Sequence, residues 1–114
     1  KYKDIYFFKD CDLNKMIYIS DIILGYSSTA LINAVVLNKH PLIIDWIPKY
    51  FFDLPYYRVG TKVSTKDDLK DKIKMVESGQ IKTTEKGYRT FYDYFINVDM
   101  SNPPLPRIIK AILD

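Results

Sequence analysis

Cysteine and histidine are almost absent from this sequence. Cys11 and His40 are each the single residue of their kind among the 114 residues. A lone cysteine excludes a disulfide within the chain and a cysteine-rich metal site, and it is typical of a reducing compartment. We therefore expect a fold that is stable without disulfides or metal, in which Cys11 is an inert packing residue.

Long apolar runs and blocks of one charge sign are absent as well. No run reaches the roughly 20 apolar residues of a membrane-spanning helix, and no secretory signal follows the first residues. The 17 basic and 14 acidic residues are interspersed along the chain and give a net charge of +3. The densest charged stretch, 66–74, alternates in sign, which is typical of a solvated helix face. We expect a cytoplasmic domain with no nucleic-acid partner.

Two apolar runs of strand length, 21–25 and 41–45, flank a segment of helix length, 28–38. Continuous apolar runs of this kind are typical of parallel strands that are covered on both faces of the sheet. Strand, helix and strand in some 25 residues form a right-handed crossover unit. The centre of the chain therefore predicts a parallel α/β sheet.

The other segments extend this α/β prediction to a single domain, 1–114. We expect a Rossmann-like partial parallel sheet of three to four strands, with flanking helices and a helical C-terminal tail. The predicted elements are a buried strand at 5–8, a short helix at 13–20 capped by Asp12, a long loop at 46–60, a short strand at 61–64, a helix at 64–79 with a capping box and a Gly79 stop, a loop at 79–87, and tail helices at 88–96 and 103–114.

The break in the apolar pattern at 25–29, Gly-Tyr-Ser-Ser-Thr, is the candidate site. A turn between a parallel strand and its helix lies at the carboxyl edge of the sheet, where α/β folds bind ligands. The unpaired amides and small hydroxyls of such a turn suit a diphosphate, and Gly25 allows a close backbone approach. Ordinary N-capping by these hydroxyls is the alternative. A serine nucleophile is disfavoured, because G-x-S-x-G is missing and His40 lies at the far end of the same helix.

The stretch "ISDIILGYSSTALINAVVLNKHPLIID", 19–45, resembles a segment in the C-terminal half of GT-B-fold glycosyltransferases. Related proteins are the CDP-glycerol glycerophosphotransferases and the non-hydrolysing UDP-GlcNAc 2-epimerases. The resemblance covers about a quarter of the chain, and the helix start at 63–69 also resembles these proteins. The matching positions are Ser20, Asp21, Ser27, Ser28, Thr29, Ala34, Lys39 and Pro41.

This resemblance implies that Gly25, Ser27, Ser28 and Thr29 hold the diphosphate of a nucleotide-activated donor. Asn33 stands where many such proteins have an acid that contacts the donor. Because of this difference, the resemblance does not identify the donor.

Three further residues have two interpretations each. Asp45 either contacts a sugar hydroxyl or forms a turn. Arg58 either contacts the donor phosphates or is a surface charge. His40 is expected to be a partly charged cap at a helix C-terminus rather than a catalytic group.

We therefore expect the donor-binding part of a glycosyltransferase of surface polysaccharide or capsule synthesis. The catalytic base and the acceptor site are expected in an N-terminal domain outside this sequence, so the isolated domain should be inactive; no cofactor or metal is expected. The resemblance leaves open association of the full protein with the inner face of the membrane. Two alternatives stay open: a sugar-nucleotide epimerase of the same fold, and a non-catalytic α/β binding or regulatory domain.

Overall fold

A computed structural model describes residues 4–26, 28–45, 54–56, 58–95 and 104–113, the last segment with side chains from residue 106 onward. The described chain is an α/β protein with a parallel sheet of three strands, as the sequence predicts. The elements are α1 (Leu13–Ile19), β1 (Leu24–Gly25), α2 (Ala30–Val36), β2 (Leu42–Ile44), β3 (Thr61–Val63), α3 (Lys66–Glu77), α4 (Glu85–Phe95) and α5 (Pro104–Leu113).

The central strand of the sheet is β2. Leu42 lies opposite Leu24 of β1 and opposite Thr61 of β3, and both pairings are parallel. Leu42 and Ile43 are buried, as expected for a strand covered on both faces. Of the apolar run 21–25, only Leu24 and Gly25 are in the strand.

The core is formed where helices α2 and α4 pack against the sheet. Phe91 of α4 is fully buried, with Tyr88 and Phe95 packed against the same cluster at helical spacing. The ring centroids of Phe91 and Phe95 are 5.0 Å apart. The buried members of this cluster are Leu31, Val35, Ile43, Leu54, Val59 and Phe91.

The two ends of α3 confirm the helix signals in its sequence. Thr65 Oγ1 accepts a hydrogen bond from the amide of Asp68 at 3.0 Å, and Asp68 Oδ2 accepts one from the amide of Ser64 at 2.9 Å. These reciprocal bonds are a capping box. At the other end, Gly79 has a φ of +74°, the left-handed conformation in which a helix commonly stops.

Three expectations about local structure are wrong. Residues 5–8 do not form a buried strand: they pair with no described strand and are exposed, with Phe7 at 93%. Cys11 is exposed and therefore is not a packing residue. Helix α4 begins at Glu85 rather than at 88, because Thr84 Oγ1 accepts from the amide of Gly87 at 3.0 Å and caps an earlier turn.

Most of the expected loop at 46–60 lies outside the described residues. The short helix with its Asp12 cap is confirmed, since Asp12 Oδ1 accepts from the amide of Lys15 at 3.1 Å. The C-terminal helix is confirmed as α5, and its described side chains are exposed.

No helix within the described part of the chain combines the length and the apolar character needed to cross a membrane.

Candidate functional site

The carboxyl edge of the sheet carries the turn that the sequence singles out. Strand β1 ends at Gly25 and β2 ends at Ile44, and the two strands run in the same direction. The turn after Gly25 and the residue after Ile44, which is Asp45, therefore lie at the same edge. The amide of Asp45 donates to the carbonyl of Val63 at 2.9 Å, which ties this edge to β3.

Gly25 has a packing role that does not depend on a ligand. A Cβ atom at Gly25 would lie 2.8 Å from Cδ2 of Leu31, whose side chain is buried in the core. The missing side chain lets α2 approach β1 closely. Packing against the Leu31 side chain therefore explains a glycine at this position, and the predicted approach of its backbone to a phosphate stays a prediction.

Ser28 closes the turn into α2. Its hydroxyl accepts a hydrogen bond from the amide of Ala30 at 3.2 Å, and its carbonyl accepts one from the amide of Leu31 at 3.0 Å. The Ser28 side chain thus satisfies one of the amides that a helix start leaves unpaired. Ser28 therefore contributes to capping the start of α2, as the N-capping interpretation predicts.

Thr29 differs from Ser28 in what its hydroxyl does. Its backbone is already helical, with φ −61° and ψ −22°, and its side chain makes no capping hydrogen bond. Thr29 and Ser28 are both exposed. Ser27 lies outside the described residues. Of the two described hydroxyls of this turn, that of Thr29 is therefore the one that makes no capping bond.

Asn33 lies one turn into α2 and has a structural partner. Its Nδ2 donates to Oδ1 of Asn14 at 3.4 Å, which links α2 to α1 across the surface. This long, exposed hydrogen bond is weak enough for a ligand to replace it.

Arg58 lies apart from the other predicted donor contacts. It is in a turn closed by its own amide, which donates to the carbonyl of Pro55 at 3.0 Å, and it comes three residues before β3. It lines a cleft with His40, the second residue before β2. Since the strands are parallel, this cleft is at the amino-terminal edge of the sheet. The structure thus brings Gly25, Ser28, Thr29 and Asp45 to one edge and Arg58 to the other.

The expectation that His40 is a partly charged helix cap is wrong. Its Nδ1 lies 2.8 Å from Oγ1 of Thr83, and its Nε2 lies 2.8 Å from Oγ1 of Thr61. Burial lowers the pKa of His40 below its ordinary value, so the neutral imidazole is favoured. His40 ties the strand β3 to the segment before α4, a role that its sequence neighbours do not signal because both partners are distant along the chain.

Metal-ligand chemistry has no visible basis in the described residues, which contain no group of three or more His, Cys, Asp or Glu side chains able to hold an ion. Comparison with protein-family models, curated proteins and solved structures finds no match for this chain.

Proposed function

We propose that this chain is the donor-binding part of a GT-B-type glycosyltransferase, which moves a sugar or related group from a nucleotide-activated donor in surface polysaccharide synthesis. The observation that carries the proposal is the parallel unit β1-α2-β2, in which the turn after Gly25 lies at the carboxyl edge of the sheet. The segment with the family resemblance, 19–45, is the same segment that forms this unit.

In this proposal the donor diphosphate binds at the turn between β1 and α2. Thr29 donates its exposed hydroxyl to the diphosphate. The first amides of α2 are already bonded to Ser28 and Thr29, so the helix contributes the positive end of its dipole rather than free amides. Asp45, at the same edge, is placed for a hydroxyl of the transferred group. Asn33 contacts the donor only if the bond to Asn14 opens.

The residues at this edge favour binding over acid–base chemistry. Gly25, Ser28 and Thr29 supply no acid, imidazole or thiol, and His40 is at the opposite edge of the sheet. The carboxylate of Asp45, which is at this edge, is assigned to a hydroxyl of the transferred group rather than to proton transfer. The proposal therefore assigns the catalytic base to an acceptor-binding domain outside this sequence. Stabilisation of the leaving diphosphate is the part of catalysis assigned to this chain.

Amide NMR titration with UDP, CDP and GDP tests the proposal. We expect saturable shifts at Gly25 and at 28–30, smaller shifts with the matching monophosphates, and none with the free nucleosides, because the contact is to the diphosphate. Thr29→Val keeps the shape of the side chain and removes its hydroxyl, so it should weaken binding about tenfold. Ser78→Ala, which removes an exposed hydroxyl at the far end of α3, is the control and should bind as the unaltered chain does.

Two results would overturn the proposal. One is the absence of shifts at 25–30 at millimolar nucleotide. The other is equal shifts from nucleosides and nucleoside diphosphates, which would show that the turn does not recognise phosphate.

A further inference from the structure

Two adjoining clefts open at the amino-terminal edge of the sheet, opposite the proposed donor site. One has a volume of about 230 Å³ and is lined by Arg58, Lys86 and the hydroxyl residues Thr84 and Thr90, among others. The second has a volume of about 330 Å³, and Lys82 is among its lining residues. Arg58 and Thr84 line both clefts, and we call the two together the amino-edge cleft.

The described lining of the amino-edge cleft is cationic. The acids Glu85 and Asp93 line a third opening that adjoins it along α4. Among the described lining residues, Arg58, Lys82 and Lys86 are the cations, and none is a carboxylate. Within the described residues, none of the three has an ion-pair partner within 4.0 Å. The acid that begins α4, Glu85, is held 2.8 Å from Nη2 of Arg89. Three cations without a paired acid repel one another, and an anion bound among them relieves that repulsion.

The walls of the cleft are fixed to each other by His40. Its two ring nitrogens bond Thr61, at the start of β3, and Thr83, between Lys82 and Thr84. The backbone of Arg58 is held by the turn in which its amide donates to Pro55. The cation-bearing segments on both sides of the cleft are therefore positioned before any ligand arrives, which lowers the entropic cost of binding.

We propose that the amino-edge cleft binds a multiply charged phosphate group, a phosphomonoester or a diphosphate, of a small ligand. The guanidinium of Arg58 pairs with two phosphate oxygens at once, while Lys82 and Lys86 add point charges from either side. The hydroxyl of Thr84 accepts from the amide of Gly87 and keeps its own proton free to donate to the phosphate. Because the turn at 25–29 is at the other edge of the sheet, this site is separate from the proposed donor site.

Titration of the chain with inorganic pyrophosphate at constant ionic strength, followed by amide NMR, tests this site. We expect saturable shifts at 58–61 and 82–87. Arg58→Gln should weaken binding about tenfold, because the bidentate contact is lost, and Lys86→Gln should weaken it by a similar factor. Lys70→Gln, on the exposed face of α3, removes the same unit of charge away from the cleft and should bind pyrophosphate as the unaltered chain does.

Three outcomes would overturn the second site. They are no saturable shift at 58–61 and 82–87, equal shifts from sulfate at the same ionic strength, and equal weakening by Arg58→Gln and Lys70→Gln. Pyrophosphate shifts confined to 25–30 would also overturn it while supporting the donor site. Shifts at 58–61 and 82–87 without any response of 25–30 to nucleoside diphosphates would instead support the cleft and overturn the donor site.

Discussion

At the scale of single residues, His40 shows best how the fold changes the chemistry of a side chain. The sequence places it after a helix, where an imidazolium is favourable. In the fold it bridges Thr61 and Thr83, and burial lowers its pKa. The neutral ring satisfies both hydroxyls, since one ring nitrogen donates and the other accepts.

The lowered pKa of His40 predicts a pH dependence of stability. As the pH falls below the ordinary pKa of histidine, the unfolded chain takes up a proton before the folded chain does, so the free energy of unfolding decreases. The decrease ends once the pH is below the lowered pKa of the folded state. Above the ordinary pKa, His40 is neutral in both states and contributes no pH dependence.

Urea denaturation between about pH 7.5 and pH 5 measures this dependence. His40→Asn keeps a side chain with both a donor and an acceptor but removes the titrating group, and it should flatten the curve over that range. Since His40 is the single histidine of the chain, its ring resonances in a proton NMR titration give its pKa directly. A pKa of His40 in the folded chain at or above the ordinary pKa of histidine would contradict this prediction.

Gly25 is a different case. The sequence indicates that a glycine is needed at this position, but only the contacts in the structure show why. A ligand-binding turn and a tight helix-to-strand contact both call for a glycine there. A Cβ atom at this position would lie 2.8 Å from Cδ2 of Leu31, which supplies the second reason. A ligand is therefore not required to explain Gly25, and the donor-site proposal depends on Thr29 instead.

At the scale of elements, the caps of α3 matter because this helix has little burial to stabilise it. None of its residues is fully buried, although Leu69, Ile73 and Val76 are half-buried as their spacing predicts. Most helices in proteins are stabilised by packing of an apolar face. In α3, the capping box formed by Thr65 and Asp68 must contribute a larger share.

Thr65→Ala should therefore reduce the free energy of unfolding by about 1 kcal/mol, within the usual range for loss of an N-cap. Thr65→Ser keeps the hydroxyl and should stay within about 0.5 kcal/mol of the unaltered chain. Urea denaturation of the two variants gives both values. Equal losses in Thr65→Ala and Thr65→Ser would show that the methyl group, and not the cap, is responsible.

The sequence predicted helix α3 correctly but not the structure of residues 5–8. The helix α3 carries its own start and stop, in Thr65 and Gly79, and both act locally. The run at 5–8 has strand composition, but a strand also needs a neighbour with which to form hydrogen bonds, and no described strand pairs with it. Local signals therefore sufficed for α3, and composition alone failed for 5–8.

At the scale of the whole molecule, Phe91 anchors α4 to the core that covers the sheet. Its ring is fully buried in the cluster that contains Leu31 of α2 and Ile43 of β2. This contact joins the crossover unit and α4 in one core. The free energy of unfolding of the whole domain should depend on it.

Phe91→Ala should lower the free energy of unfolding by about 3–5 kcal/mol, because it removes a large buried ring and leaves a cavity. That is a large fraction of the roughly 5–15 kcal/mol that stabilises a typical domain. Phe91→Leu fills most of the space and should cost clearly less. Urea denaturation measures both, and a loss below 1 kcal/mol for Phe91→Ala would mean that α4 is not coupled to the core.

The sequence by itself determined the α/β class, the parallel crossover unit and the caps of α1 and α3, because periodicity, apolar runs and caps act between residues close along the chain. It also indicated the edge at which the turn of 25–29 lies. Only the tertiary structure decided that Arg58 is at the opposite edge, beside Lys82 and Lys86, and that His40 bridges Thr61 and Thr83. Those contacts join residues about 20 to 40 positions apart, and no local pattern encodes which distant side chains a fold brings together.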